Sequence, residues 1–113
     1  MAGETAAHEL LKLPERPTAV VAHNDLIAIG AMKAFMEAGL RIPNDISVVG
    51  FDDIAAASYV QPPLTTVAYP KRQMGRAGIE MLLERLSSEE KMPTGTLKLP
   101  VELVVRASTG PAK

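Results

Sequence analysis

Two short polar clusters break an otherwise apolar pattern in this chain of 113 residues: His23-Asn24-Asp25 and Phe51-Asp52-Asp53. A carboxylate accepts hydrogen bonds through two oxygens and can hold two neighbouring hydroxyls, while an asparagine amide both donates and accepts. An Asn24 and Asp52 pair therefore suits a polyhydroxylated or amine-bearing ligand, a sugar or nucleoside before a lipid. The same residue types after a strand also serve as helix N-caps, each worth about 1 kcal/mol. Spacing alone favours the cap for Asn24 and Asp52, and the cap is the expected role of Asp25 and Asp53. His23 borders the same place and is a contact candidate. With His8 it forms no set with a nucleophile or a patterned carboxylate, so no catalytic residues are expected.

The elements that must position these clusters follow from periodicity. Thr18 to Ala22 and Ile46 to Gly50 are continuous apolar runs, the mark of strands buried on both faces of a parallel sheet. Between them, Asn24-Asp25 opens a helix over Leu26 to Ala38 that stops at Gly39, a residue suited to a left-handed C′ position. Strand, helix and strand in about thirty residues make a βαβ unit. If its strands are adjacent, both polar clusters lie beyond the carboxyl ends of neighbouring strands, where open parallel sheets bind ligands.

Around this unit the sequence predicts a helix from Thr5 to Leu13 with Ala6, Leu10 and Leu13 on one side. After it come a short helical stretch through Ala55 to Ala57 closed by Pro62-Pro63, a strand over Leu64 to Val67 and a helix from Lys71 to Leu86. A polar loop over Ser87 to Thr96 leads to strand-like stretches at Leu97 to Leu99 and Val101 to Arg106, interrupted by Pro100. Gly75-Arg76-Ala77-Gly78 falls inside a helical pattern with no strand before it, so close packing explains it better than phosphate binding, and Arg72 and Arg76 read as a solvated face.

Composition narrows the function further. A net charge of −1 with scattered basic residues offers no footprint for a nucleic-acid backbone, so this piece is not expected to bind DNA by itself. The absence of cysteine removes disulfides, thiolate nucleophiles and cysteine-based zinc sites, and neither a metal nor a cofactor is expected. No apolar run is long enough to span a bilayer and Met1 to Glu4 lacks signal-peptide character, which predicts a cytoplasmic chain with no membrane partner.

The Leu26 to Ala38 helix carries charge only at Lys33 and Glu37. Ile27, Gly30, Ala31, Ala34 and Ala38 form a stripe small enough to lie on the sheet, which leaves Ile29, Met32 and Met36 projecting elsewhere. Burying each would contribute roughly 1.5–3 kcal/mol. Either another element of the chain or a second subunit would have to cover them.

In series, Arg16 to Asp25, Ala28 to Ala31, Ala38 to Pro43, Ile46 to Asp53, Pro62 to Val67 and Leu103 to Thr109 resemble the C-terminal part of LacI/GalR-family transcriptional repressors. The resemblance implies an α/β fold of mostly parallel sheet, the C-terminal lobe of a type I periplasmic-binding-protein-like sensor. It implies a single fragment over 1–113: a sensor lobe over 1–68, a crossover helix over 69–90 that belongs to the other lobe, and C-terminal strands over 91–113. The family's N-terminal helix-turn-helix, its only route to DNA, and most of the first lobe are not among these residues. By the same resemblance Asn24 and Asp52 contact the effector, Tyr69 lies where the chain recrosses between lobes and borders the ligand, and a homodimer interface takes in Ile29, Met32, Lys33, Met36, Ala55, Ser58 and Tyr59. His23 stands where the family has a small residue and Tyr69-Pro70 where Gln-Pro is frequent, which leaves the ligand's identity open. The apolar stripe of the Lys71 to Leu86 helix would lack its host, so the chain is expected to self-associate or swap elements. The alternative is a piece of an exported sugar-binding protein of the same fold, which Phe51-Asp52-Asp53 followed by Pro62 to Thr66 argues against.

Overall fold

Val, Ile and Ala in short runs between Pro, Gly and Asn produce strands only three residues long, each followed by a helix or a turn. The computed structural model describes residues 2–87 and 95–112. The elements in order are α1 (Ala2–Leu11), β1 (Ala19–Val21), α2 (Asp25–Glu37), β2 (Ser47–Val49), α3 (Ala55–Tyr59), β3 (Thr66–Ala68), α4 (Lys71–Ser87) and β4 (Glu102–Val104). The chain divides into two units, Met1–Ala68 with Glu102–Lys113, and Tyr69–Val101.

In the first unit β1 and β2 pair in parallel, with Ala19 opposite Ser47, Val20 opposite Val48 and Val21 opposite Val49. A parallel bridge from Val49 to Thr65 and the Gly50 N–H to Thr65 carbonyl bond of 3.0 Å carry the sheet on to β3. β4 then runs antiparallel to β3, with Val67 opposite Leu103. The α/β architecture and the parallel βαβ unit are those the sequence predicts.

The two apolar runs do not share the same burial. Val48 is fully buried, but Val21 is 80% exposed and Val20 only half-buried. The expectation of a first strand covered on both faces is corrected: Ala19 and Val21 share one face of β1 and both are exposed, so among the described residues nothing covers that face, and β1 is also an edge strand.

The helix α2 also packs differently from its predicted stripe. Gly3 of α1 lies so close to α2 that a Cβ there would collide with the Ile27 carbonyl oxygen and come within 2.9 Å of the Ala31 nitrogen. Gly30 returns the approach, since a Cβ there would lie 3.3 Å from the Glu4 nitrogen. The small residues around Gly30 therefore seat α1, not the sheet, and Ala38 is exposed at the C-cap. Met32 is correspondingly 2% exposed and joins Phe35, Ile46, Val48 and Leu64 in the core. It leaves the projecting stripe, because this chain's own elements bury it. The first helix begins at Ala2 and ends at Leu11, earlier than predicted, with Ala7 buried and Leu13 exposed.

The C-terminal segment closes this unit through one buried hydroxyl. Ser108 Oγ donates to the Val48 carbonyl at 2.6 Å and accepts from the Thr65 N–H at 2.8 Å, while the Val48 N–H donates to the Ser108 carbonyl at 2.9 Å. It wedges between the facing edges of β2 and β3, so Leu64 and Thr65 lie outside the regular strand that the sequence predicts there. Beyond residues 88–94, which lie outside the described residues along with most of the predicted polar loop, the chain has no strand at Leu97 to Leu99. Pro100 supplies no N–H, and the ladder begins only at Glu102.

The second unit carries α4, opened by the Met74 N–H to Pro70 carbonyl bond of 2.8 Å. Met74, Ile79, Met81, Leu82, Leu83 and Leu86 are all exposed on it, and only Ala77 is half-buried.

Two outcomes follow. Ser108→Ala leaves the Thr65 N–H and the Val48 carbonyl without the hydroxyl and should lower stability by about 1–3 kcal/mol in urea denaturation; an unchanged midpoint would contradict the wedge. Velocity sedimentation of the chain should show association that rises with concentration, and a compact monomer at all concentrations would refute a role for the exposed α4 stripe.

Candidate functional site

The loops that trail β1 and β2 are bonded to each other before any side chain is considered. The Ala22 N–H donates to the Val49 carbonyl at 2.8 Å, and the Asp25 N–H donates to the Phe51 carbonyl at 2.9 Å. His23, Asn24 and Asp52 thus sit in two adjoining loops at the carboxyl ends of neighbouring parallel strands. His23 is exposed, and Asn24 and Asp52 are half-buried. Tyr69 opens the second unit, half-buried, with the Lys71 ammonium 5.5 Å from its ring centroid.

Asn24 is the N-cap of α2: its backbone is extended and its Oδ1 accepts from the Ile27 N–H at 2.9 Å. Asp25, expected to share that role, does something else. It is fully buried in the first turn of α2, its Oδ2 accepts from the Ile54 N–H at 2.9 Å, and its Oδ1 accepts from the Thr66 hydroxyl. A carboxylate is costly to bury without partners. Here two donors and the positive end of the α2 dipole compensate it. Gly50 is required beside it, because a Cβ there would collide with Asp25 Oδ1 and stand 3.0 Å from Leu64 Cδ2.

Asp53 is likewise not a helix cap. The N-cap of α3 is Ile54, with no side-chain capping bond, and Asp53 Oδ1 instead accepts from Arg106 Nη2 at 2.8 Å. Arg106 Nη1 donates to the Leu64 carbonyl at 3.0 Å. Asp52 and Asp53 both have positive φ, 122° and 54°. Sparsely populated backbone states of this kind in a non-glycine residue cost on the order of 1–3 kcal/mol, and they persist only where surrounding bonds over-determine them. The bonds here are Asp52 N–H to the Val67 carbonyl at 3.0 Å, Asp53 N–H to Thr66 Oγ1 at 3.4 Å, and the Arg106 ion pair. Thr66 and Arg106 lie inside blocks that carry the family resemblance, but neither was assigned a role from sequence. A polar residue at a buried strand position and an arginine in an apolar closing stretch were the available signals.

Of the residues assigned to an interface, Met36 is 42% and Tyr59 84% exposed, and Ala55 and Ser58 are exposed beside Tyr59 on α3. Lys33 is exposed and pairs with Glu4 at 3.3 Å and Glu37 at 3.8 Å. Ile29 is half-buried against the core, and Met32 lies within it.

Among the described residues no group of three or more His, Asp or Glu side chains is placed to hold a metal ion, and no helix is long and apolar enough to cross a membrane. A cavity of about 550 Å³ lined by Arg16, Thr18, Leu40 and Asp45 opens at the other end of the strands, away from these loops.

Residues 1–109 match the periplasmic binding protein-like domain family. The chain belongs to that family. Within it, the chain is 39% identical over 108 residues to the HTH-type transcriptional repressor CytR of Escherichia coli strain K12, covering 96% of this chain and 31% of the repressor. It also superposes on a LacI family transcriptional regulator from Enterococcus faecalis V583 with bound ribose, with a TM-score of 0.79, 40% identity and coverage of 98% of this chain and 40% of that one. The lac repressor dimer bound to operator and the anti-inducer ONPF gives a TM-score of 0.83 and 41% identity, covering 95% of this chain and 37% of that one. These relatives are transcriptional repressors or regulators, not enzymes, and the chain corresponds to part of the effector-binding region of a LacI-type regulator. It spans about a third of the length of the curated repressor it matches.

Asp25→Ala should remove the acceptor of both the Ile54 amide and the Thr66 hydroxyl and destabilise the fold by at least about 2 kcal/mol, at about 1–3 kcal/mol for each buried donor left unpaired. Asp25→Asn should cost less, since the Thr66 hydroxyl can reverse and accept. Thermal unfolding of the two variants checks the order, and equal stability of Asp25→Ala and the parent chain would contradict it.

Proposed function

We propose that this chain forms the C-terminal wall of an effector site for a sugar or nucleoside-like molecule in a LacI-type transcriptional repressor. The single observation that carries the reading is the parallel pairing of β1 and β2 with their trailing loops bonded to each other, which sets Asn24 and Asp52 at one rim. That is where open α/β sheets take ligands. The ribose bound to the Enterococcus faecalis regulator supports a polyhydroxylated effector.

In this reading Asp52 accepts from ligand hydroxyls. Asn24, whose oxygen serves the α2 cap, offers its amide N–H groups. His23 is the further contact from these loops, and the resemblance to LacI/GalR repressors adds Tyr69 as a contact in the intact regulator. The complete repressor is a cytoplasmic homodimer that reaches DNA through a helix-turn-helix segment ahead of this chain. Its dimer surface takes in Met36, Lys33, Ala55, Ser58 and Tyr59, with Ile29 at the margin. The exposure of Tyr59 and Met36 on an otherwise folded unit supports that surface. Effector binding between two lobes biases their closure, and the dimer carries that bias to the DNA-reading segments, a coupling of two states by differential affinity.

The test is calorimetric titration of the complete polypeptide with D-ribose, other pentoses and hexoses, and nucleosides. One of these probes should bind saturably, and Asp52→Ala should weaken it about tenfold or more, since a hydrogen bond to a charged group is worth about 1.5–3 kcal/mol. Unchanged affinity in Asp52→Ala would remove that carboxylate from the site, and no binding by any probe would remove the reading.

A further inference from the structure

We infer that Arg106 is a positioning residue for the effector rim: from the C-terminal segment it holds the Asp52–Asp53 turn in its positive-φ geometry, and so sets where the Asp52 carboxylate is presented. The inference rests on the reading above and extends it to a residue that makes no contact with the ligand itself.

Three observations meet at this side chain. The first is the backbone of the turn, with φ of 122° at Asp52 and 54° at Asp53, neither of them glycine. Such a turn relaxes when its restraints are removed. The second is the geometry of the restraint. The Arg106 guanidinium bridges the stretch before β3 and the loop after β2, with Nη1 on the Leu64 carbonyl at 3.0 Å and Nη2 on Asp53 Oδ1 at 2.8 Å. Its side chain and that of Asp53 are 20% and 29% exposed, so solvent screens the pair only in part. A planar fork fixes two donors relative to each other, which the single ammonium of lysine does not.

The third observation is that the base of the strut is itself held. The Arg106 N–H donates to Thr65 Oγ1 at 2.9 Å, and the next N–H, of Ala107, donates to the Pro63 carbonyl at 3.0 Å. Arg106 therefore bears on the turn from a fixed anchorage beside β3. Asp25 restrains the same loop one residue later, at the Ile54 amide, and does so as part of the core. Arg106 acts through the Asp53 carboxylate, next to Asp52, and its removal leaves the Asp25 bonds in place.

The test compares Arg106→Ala, Arg106→Lys and the core variant Ile46→Val, which thins a buried side chain without touching the loop. In the complete polypeptide titrated with D-ribose and the nucleoside panel, Arg106→Ala should raise Kd about tenfold. Arg106→Lys should recover part of that loss, and Ile46→Val should lower the melting temperature with Kd unchanged. In this chain, amide hydrogen exchange at Asp52 and Asp53 should accelerate about tenfold in Arg106→Ala while the Val48 amide keeps its protection. Unaltered affinity in Arg106→Ala, or an equal loss in Ile46→Val, overturns the inference. If the unaltered protein binds no probe, the effector reading fails and the exchange measurement alone decides the strut, with unchanged rates at Asp52 and Asp53 refuting it. Should Arg106→Ala fail to fold, the same affinities and rates in Arg106→Lys decide, and values matching the unaltered protein refute the inference.

Discussion

A single buried carboxylate organises the end of this fold at which β1 and β2 finish. Asp25 belongs to the first turn of α2, yet its oxygens receive the Ile54 amide from the loop after β2 and the hydroxyl of Thr66 from β3, and its own amide holds the Phe51 carbonyl. The start of α2, the loop after β2 and the first residue of β3 are thereby tied at one point. The charge is tolerated because donors and a helix N-terminus surround it. The arrangement dictates a glycine at position 50, where any side chain would occupy the space the carboxylate needs. The Phe51 carbonyl and the start of α3 are held at that knot, while the Asp52–Asp53 turn between them has further bonds to Val67, Thr66 and Arg106.

Much of the architecture was legible in the sequence because it is encoded locally. Short apolar runs bounded by Pro, Gly and Asn marked β1 and β2, and Gly39, at a φ of +90°, ended the helix between them as its type requires. What was not legible depends on partners far along the chain. Asp25 and Asp53 look like caps in sequence, since cap residues and buried network residues are chemically the same. Only the distant Thr66 and Arg106 separate the two roles. Ser108 lies 60 residues from its acceptor at Val48, and no periodicity announces such a bond. The orphan stripe on α2 was overstated for Met32 because periodicity reveals that a face is apolar but not which element covers it. Here Met32 turns into the core with Phe35, Ile46, Val48 and Leu64, and the close approach of α1 falls on the neighbouring face at Ile27 and Ala31.

The candidate site was legible in a narrower sense. The two polar clusters could be located, and their adjacency followed from the parallel order of β1 and β2. The turn geometry could not, because positive φ at successive aspartates runs against their intrinsic preference and exists only under tertiary restraint. If the proposed effector site is right, rigid support beneath this half-buried carboxylate presets an acceptor, so that less binding free energy is spent on ordering it.

The most direct test of this account is the detection of scalar couplings across hydrogen bonds by nuclear magnetic resonance on the uniformly labelled chain. Couplings from the Asp25 amide nitrogen to the Phe51 carbonyl carbon, and from the Ile54 amide nitrogen to the Asp25 carboxylate carbon, are the predicted result. Absence of both, with those two amides exchanging at the rate of an unprotected peptide, would show that the knot does not form and that the rim is not assembled as described.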